Sequence, residues 1–298
     1  ETISIEYKGD DCMPSQEAAL TITSSRIAQY ATHLQEQERT KNTVKKYVRD
    51  LNSLMMFLNG QPITKAAVTA WKEHLSNTYT PATVNSMLAA ANGFFHFMDW
   101  SKLSVRPLKI QRPLFCDENR EMTRAEYVRL VGAAQRQGNE RLSLLLQTIC
   151  ATGIRVSELR FITVESVALG RTVVNNKGKR RTVFLPGKLR GLLKKYLKQQ
   201  KITGGSVFVT RTGKPLDRSN IWRDMKALCE SAGVAPDKVF PHNLRHLFAR
   251  TYYSLEKDLS RLADILGHSN VSTTRIYTAE SGLVHARQID RLELILTT

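Results

Sequence analysis

From Ser25 onward, apolar residues recur at helical spacing. Ile27, Tyr30, Ala31 and Leu34 form one stripe, and Val44, Tyr47, Val48, Leu51, Leu54 and Leu58 form a second. Val68, Trp71 and Leu75 mark a third helix. Thr80 followed by Pro81, a cap and a first-turn residue, opens a fourth that carries Met87, Leu88, Phe94, Phe95 and Phe97. Met55-Met56-Phe57 reads as core within the second stripe. Residues 22–105 are therefore expected to form an all-helical domain behind a weakly periodic lead segment, 1–21, with no room for a further domain before Thr21. The pattern then fails over 106–121, where Pro107, Pro113, Arg106, Lys109 and Arg112 read as a basic linker.

A second patterned region covers 122–280. Thr123 and Glu126 have the spacing of a capping box, and the apolar helix Leu142 to Cys150 stops at Thr152-Gly153. Arg155 follows on a turn against the core, with Glu158 as its expected partner. Alternating runs, Arg171 to Asn176 and Arg181 to Leu185, flank Asn176-Lys177-Gly178-Lys179 and predict a hairpin with Lys177 and Lys179 at its tip. Val207 to Val209 reads as a third short strand. Ser219 is expected to cap a helix buried through Ile221, Trp222, Met225 and Leu228. Pro241 opens another, whose first exposed face carries His242 and Arg245. Ser260 is expected to cap a helix ending at Gly267, which puts His268 on a turn, and Ser272 a helix whose second turn presents Tyr277. Residues 281–298 form a last amphipathic helix, expected to supply contacts between protomers. The fold class is mainly α with a small antiparallel β-sheet: an α+β domain preceded by an all-α one.

Composition narrows the function. Among 298 residues, 42% hydrophobic and 24% charged, the net charge of +17 points to a polyanionic partner, most often nucleic acid. The charge is focused: residues 171–230 hold 16 Lys or Arg against Asp217, Asp224 and Glu230. The polar face of the second helix offers Lys41, Asn42, Thr43, Lys45, Lys46 and Arg49 to a phosphate backbone, and the hairpin offers Lys179, Arg180 and Arg181. Cys12, Cys116, Cys150 and Cys229 form no CxxC pair, so free thiols in a reducing compartment are expected and no zinc site. The longest apolar run, near Leu142 to Ile154, is too short to span a bilayer.

Arg155 in Ala-Thr-Gly-Ile-Arg-Val-Ser-Glu-Leu, His242-x-x-Arg245, Leu-Gly-His268 and Tyr277 nine residues later together resemble the signature of the tyrosine recombinase (phage integrase) family. The resemblance covers about Thr123 to Tyr277, and the preceding helical domain looks like the family's SAM-like core-binding domain. It implies a metal- and ATP-independent enzyme that breaks and rejoins DNA through a 3′-phosphotyrosine and a Holliday junction. Tyr277 would be the nucleophile, and Arg155 and Arg245 would hold the phosphate oxygens. His242 would serve as general base, His268 as a phosphate ligand, and a hairpin lysine as general acid. Lys177, which precedes Gly178, matches the family's lysine position better than Lys179. The implied partners are double-stranded DNA with inverted-repeat core sites and a homotetramer on two such sites, in the cytoplasm and nucleoid of a prokaryote. No cofactor is implied. The residue types suit this chemistry in their own right: planar guanidiniums pair with phosphate oxygens, and a covalent tyrosyl ester conserves the energy of the broken bond. Type IB topoisomerases share that chemistry, and protomer assembly through the tail would separate the two.

Overall fold

A computed structural model describes residues 20–110, 118–176, 179–268, 270–274 and 291. The chain divides into two compact units, Glu1–Arg112 and Pro113–Thr298. The first contains α1 (Ser24–Glu36), α2 (Lys41–Leu58), α3 (Lys65–Thr78) and α4 (Pro81–Phe97). Thr23, Thr40 and Thr64 cap the first three with hydroxyl oxygens that accept the N–H of Arg26, Thr43 and Ala67. Pro81 takes the first-turn position of α4. Leu51, Leu54, Trp71, Leu88, Phe94 and Phe95 fill the centre. Met56 and Phe57 are exposed, contrary to the expectation of a core cluster. Leu51, Leu54 and Leu58 already occupy the buried stripe of α2, and Met56 and Phe57 fall outside its period.

The expected linker starts later than its composition suggests. On α4, Asn92 exchanges two bonds with the backbone of Val105 (2.9 and 3.0 Å), and Asn85 does the same with Leu108 (2.9 and 2.7 Å). Each carboxamide imitates a peptide group and holds residues 105–108 along the helix.

The second unit comprises α5 (Arg124–Arg136), α6 (Glu140–Thr152), α7 (Val164–Leu169), α8 (Gly187–Gln199), α9 (Arg218–Lys226), α10 (Cys229–Ala232), α11 (Pro241–Glu256), α12 (Leu259–Leu266) and α13 (Val271–Thr274). Its two strands, β1 (Arg171–Asn176) and β2 (Lys179–Phe184), pair antiparallel from Arg171↔Phe184 to Asn176↔Lys179. β2 begins two residues before the expected start, so Lys179 belongs to the ladder. Val207 to Val209 is no strand: Ser206 and Val209 make isolated bridges to Thr163 and Pro215. Among the described residues the sheet is two-stranded, and the mainly helical α+β class stands.

The Thr123–Glu126 capping box forms, and Gly153 ends α6 in the left-handed conformation. Two predicted caps move upstream, and a third predicted cap falls within its helix. Asp217, not Ser219, caps α9; Asp258, not Ser260, caps α12; and α13 begins at Val271, so Ser272 lies inside it. A carboxylate placed before the serine accepts the free N–H groups first and adds favourable charge at the helix start. Trp222 is half-exposed beneath Lys226, because Ile221, Met225 and Leu228 take the inward face of that stretch. Cys150 and Cys229 are free thiols, and burial pushes Cys150 up to about 12, which suits packing and not nucleophilic chemistry. Among the described residues no helix is long and apolar enough to cross a membrane. The tail, except Arg291, lies outside them.

Candidate active site

The site grows from two helix ends. Gly153 closes α6 and Gly267 closes α12, each with positive φ (62° and 65°). At the second, the N–H of Gly267 reaches Asp264 O (3.0 Å) and that of His268 reaches Ala263 O (2.9 Å). These paired bonds are the Schellman arrangement, and they fix the backbone of His268 two residues past the last residue of the helix. Leu-Gly-His is thus a stop signal that also aims an imidazole.

A helix leaves its last carbonyls without internal partners and with partial negative charge. Three arginines take those at the end of α12, one each. Arg181 donates from Nη1 to Ile265 O (2.7 Å), Arg245 from Nη2 to Leu266 O (2.7 Å), and Arg155 from Nη2 to Gly267 O (3.3 Å). Arg245 also donates to Gly153 O at the end of α6, and its Nη2 lies 3.1 Å from His268 Nε2. It is only 2% exposed, so the expected open face shared with His242 is not seen; two helix ends enclose the guanidinium. Arg155 keeps 29% of its side chain exposed.

Glu158 ties the arrangement together. Its Oε1 accepts from Arg155 Nη1 (3.0 Å), and its Oε2 accepts from the Arg155 N–H (3.0 Å) and from Arg181 Nη2 (2.6 Å). Burial alone would raise this carboxyl, but the Arg155 N–H and the two guanidiniums outweigh it and hold it below the usual carboxylate range. Glu158 is therefore an anion paired with two cations, Arg155 among them as expected. Arg181, expected to face DNA, instead faces inward and braces α12. Its signal was present in the sequence, since it is in phase with buried Val183 on β2 and with buried Leu185 just beyond it. Arg180, out of phase, is exposed.

His268 is half-buried. Because an arginine only donates, its Nε2 must accept from Arg245, which leaves Nδ1–H to donate to Thr274 Oγ1 at 2.9 Å. Desolvation first, then the charges of Arg245, Arg155 and Arg181, push its pKa down to about 4. His242 Nε2 lies 3.1 Å from His246 Nε2, the rings 4.5 Å apart at 71°. It too is lowered to about 4, by desolvation and then by His246 and Arg245, although it keeps contact with solvent and water offsets part of that effect. Both are neutral at pH 7.

Tyr277 and Lys177 lie outside the described residues, as does the side chain of Lys179. On α2, Lys41, Asn42 and Lys45 are exposed and Thr43 bonds to Thr40 Oγ1 (2.9 Å). Lys46 and Arg49 both pair with Asp50, a carboxylate 2% exposed that carries no distinguishing mark in the sequence. Its lysine neighbour also donates to Ser86 O (3.2 Å), so that charge joins α2 to α4.

Residues 27–102 match the phage integrase N-terminal SAM-like domain, and residues 120–282, more than half of the chain, match the phage integrase family. The chain belongs to the phage integrase family. It is a tyrosine recombinase, an enzyme of site-specific DNA recombination. Over 285 residues the recombinase is 27% identical to tyrosine recombinase XerA of Pyrococcus furiosus, across 92% of this chain and 96% of the relative. A lambda integrase dimer bound to a COC′ core site shares the fold with TM-score 0.72 and 18% identity, covering 87% of this chain and 96% of that one. A lambda integrase tetramer bound to a Holliday junction does so with TM-score 0.69 and 17% identity, over 85% and 76%.

Proposed function

We infer that the recombinase exchanges strands between two inverted-repeat core sites as a homotetramer, through 3′-phosphotyrosyl and Holliday-junction intermediates, in the prokaryotic nucleoid. Tyr277 Oη attacks the phosphorus and His242 takes its proton. The bond to the 5′-oxygen breaks, and Lys177 protonates that oxygen as it leaves. Arg155 and Arg245 neutralise the charge that grows on the non-bridging oxygens, with His268 beside them. Lys41, Asn42, Thr43, Lys45, Arg49, Lys179 and Arg180 meet the backbone, and the helix over 281–298 docks on a neighbouring protomer. The first unit serves as the core-binding domain and the second as the catalytic one.

One observation carries this reading: Arg155 and Arg245, 90 residues apart in the chain, bond to adjacent carbonyls immediately before His268. Opposed surfaces for these guanidiniums would have removed its basis. The test is a nicked core-site substrate that loses its rejoining strand. A covalent protein–DNA adduct is expected, abolished by Tyr277→Phe and unaffected by EDTA. An adduct that survives Tyr277→Phe, or one that requires a divalent metal, overturns the reading.

A further inference from the structure

We propose that Arg181 is a positioning residue for the guanidinium of Arg155, acting through Glu158; this rests on Arg155 holding the phosphate that Tyr277 attacks. The sheet gives Arg181 a fixed origin. It pairs with Val174 across the ladder and keeps only 10% of its side chain exposed. From there it spans two elements. Nη2 donates to Glu158 Oε2 (2.6 Å), on the 3₁₀ turn Val156–Phe161, and Nη1 donates to Ile265 O (2.7 Å) near the end of α12. Desolvation lowers its pKa and Glu158 opposes that shift, but a guanidinium stays protonated at neutral pH.

A carboxylate and a guanidinium are matched for two parallel bonds, and Arg155 stands three residues from Glu158. That fork does not form. Arg155 gives Nη1 to Glu158 Oε1 (3.0 Å) and turns Nη2 to Gly267 O (3.3 Å), while Oε2 accepts from Arg181 and from the Arg155 N–H (3.0 Å). Arg181 thus occupies the oxygen that would close the fork. Arg155 stays spread between Glu158 and α12, and its other side-chain N–H groups are offered to a phosphate. Charge points the same way. Glu158 is 2% exposed, so water screens it little, and alone it would cancel the charge of Arg155. Two guanidiniums against one carboxylate leave a net positive charge, and Arg155, at 29% exposure against 10%, is the partner that a ligand can reach.

Single-turnover adduct formation by the full chain, on the nicked core-site substrate and on the same substrate with a methylphosphonate at the cleaved linkage, tests this. The methylphosphonate carries no charge, so a site with a weakened grip on the non-bridging oxygens is penalised less there. Arg181→Met is expected to slow the phosphodiester reaction roughly thirtyfold and the methylphosphonate reaction less than about threefold, against the 10²–10³-fold cost of removing a direct oxyanion donor. Any unfolded fraction cancels in the ratio of the two rates. Arg181→Lys keeps the charge without both bonds and should fall between Arg181→Met and the parent. Adding Glu158→Gln to Arg181→Met should restore phosphodiester rate, because no carboxylate is left to capture or neutralise Arg155. Equal slowing on both substrates, the mark of a merely structural brace, overturns the proposal, as does a double variant that folds by circular dichroism yet is slower than Arg181→Met. Either result leaves the tyrosine reading standing, because that reading fails only if Tyr277→Phe still forms the adduct or the adduct needs a metal.

Discussion

His268 gains its properties from neighbours that its own position in the sequence does not name. Leu-Gly-His forecast a turn, but the tautomer follows from Arg245 and Thr274, 23 residues before it and six after. The folded-state pKa, about 4, lies below the unfolded value of 6.5. The unfolded chain thus binds more protons between these values, and acidification from pH 6.5 toward 4 destabilises the second unit; above 6.5 the contribution is constant. Imidazole titration followed by NMR should place the His268 midpoint well under 6, and urea midpoints should fall across that window less in His268→Asn than in the parent. An ordinary midpoint near 6.5 contradicts this. Arg155 and its partner Glu158 were legible because they sit three residues apart. The partners of Arg181 were not: they are brought near by the fold, and a lone charge looks solvated in sequence.

At the level of elements, start and stop signals were clearest where the backbone dictates the residue. Gly153 and Gly267 were recognisable because the left-handed conformation favours glycine. The starts of α9 and α12 were missed because serines and aspartates compete for the same role. Gly267 carries a second constraint: a Cβ there would lie 2.4 Å from Arg181 Cδ, whereas one on Gly138, with a similar φ of 67°, meets nothing within 4 Å. Gly138→Ala should therefore cost only the backbone strain, about 1–2 kcal/mol. Gly267→Ala should cost more, roughly 2–4 kcal/mol with overpacking added, and should also slow adduct formation by displacing the brace on Glu158. Paired denaturation curves and single-turnover rates would check both; equal costs would deny the contact.

For the whole molecule, +17 overstates the cations available to a polyanion. Arg181 and Lys46 are committed to carbonyls or carboxylates inside the fold, while Lys45 and Arg180 face outward. Removing one phosphate-binding cation by Arg180→Ala should therefore reduce the slope of log K against log salt by about 0.9. Arg181→Ala should leave that slope unchanged and lower stability. Fluorescence anisotropy across a salt series separates the two, and a slope change from Arg181→Ala would reverse the assignment. Two-unit organisation, helical content and basic character were all visible in composition and periodicity; which charges are spoken for was not.

The end of α12 has a wider consequence. Peptide oxygens are the same whatever side chain they accompany, so a cationic cluster gauged against Ile265, Leu266 and Gly267 asks only that the helix stop at the right place. Mutational drift at the first two positions can proceed without detuning the spacing of the guanidiniums, provided apolar packing holds. Laboratory evolution toward new DNA sites can accordingly randomise much of this helix, sparing its terminal glycine, and keep a competent reaction centre.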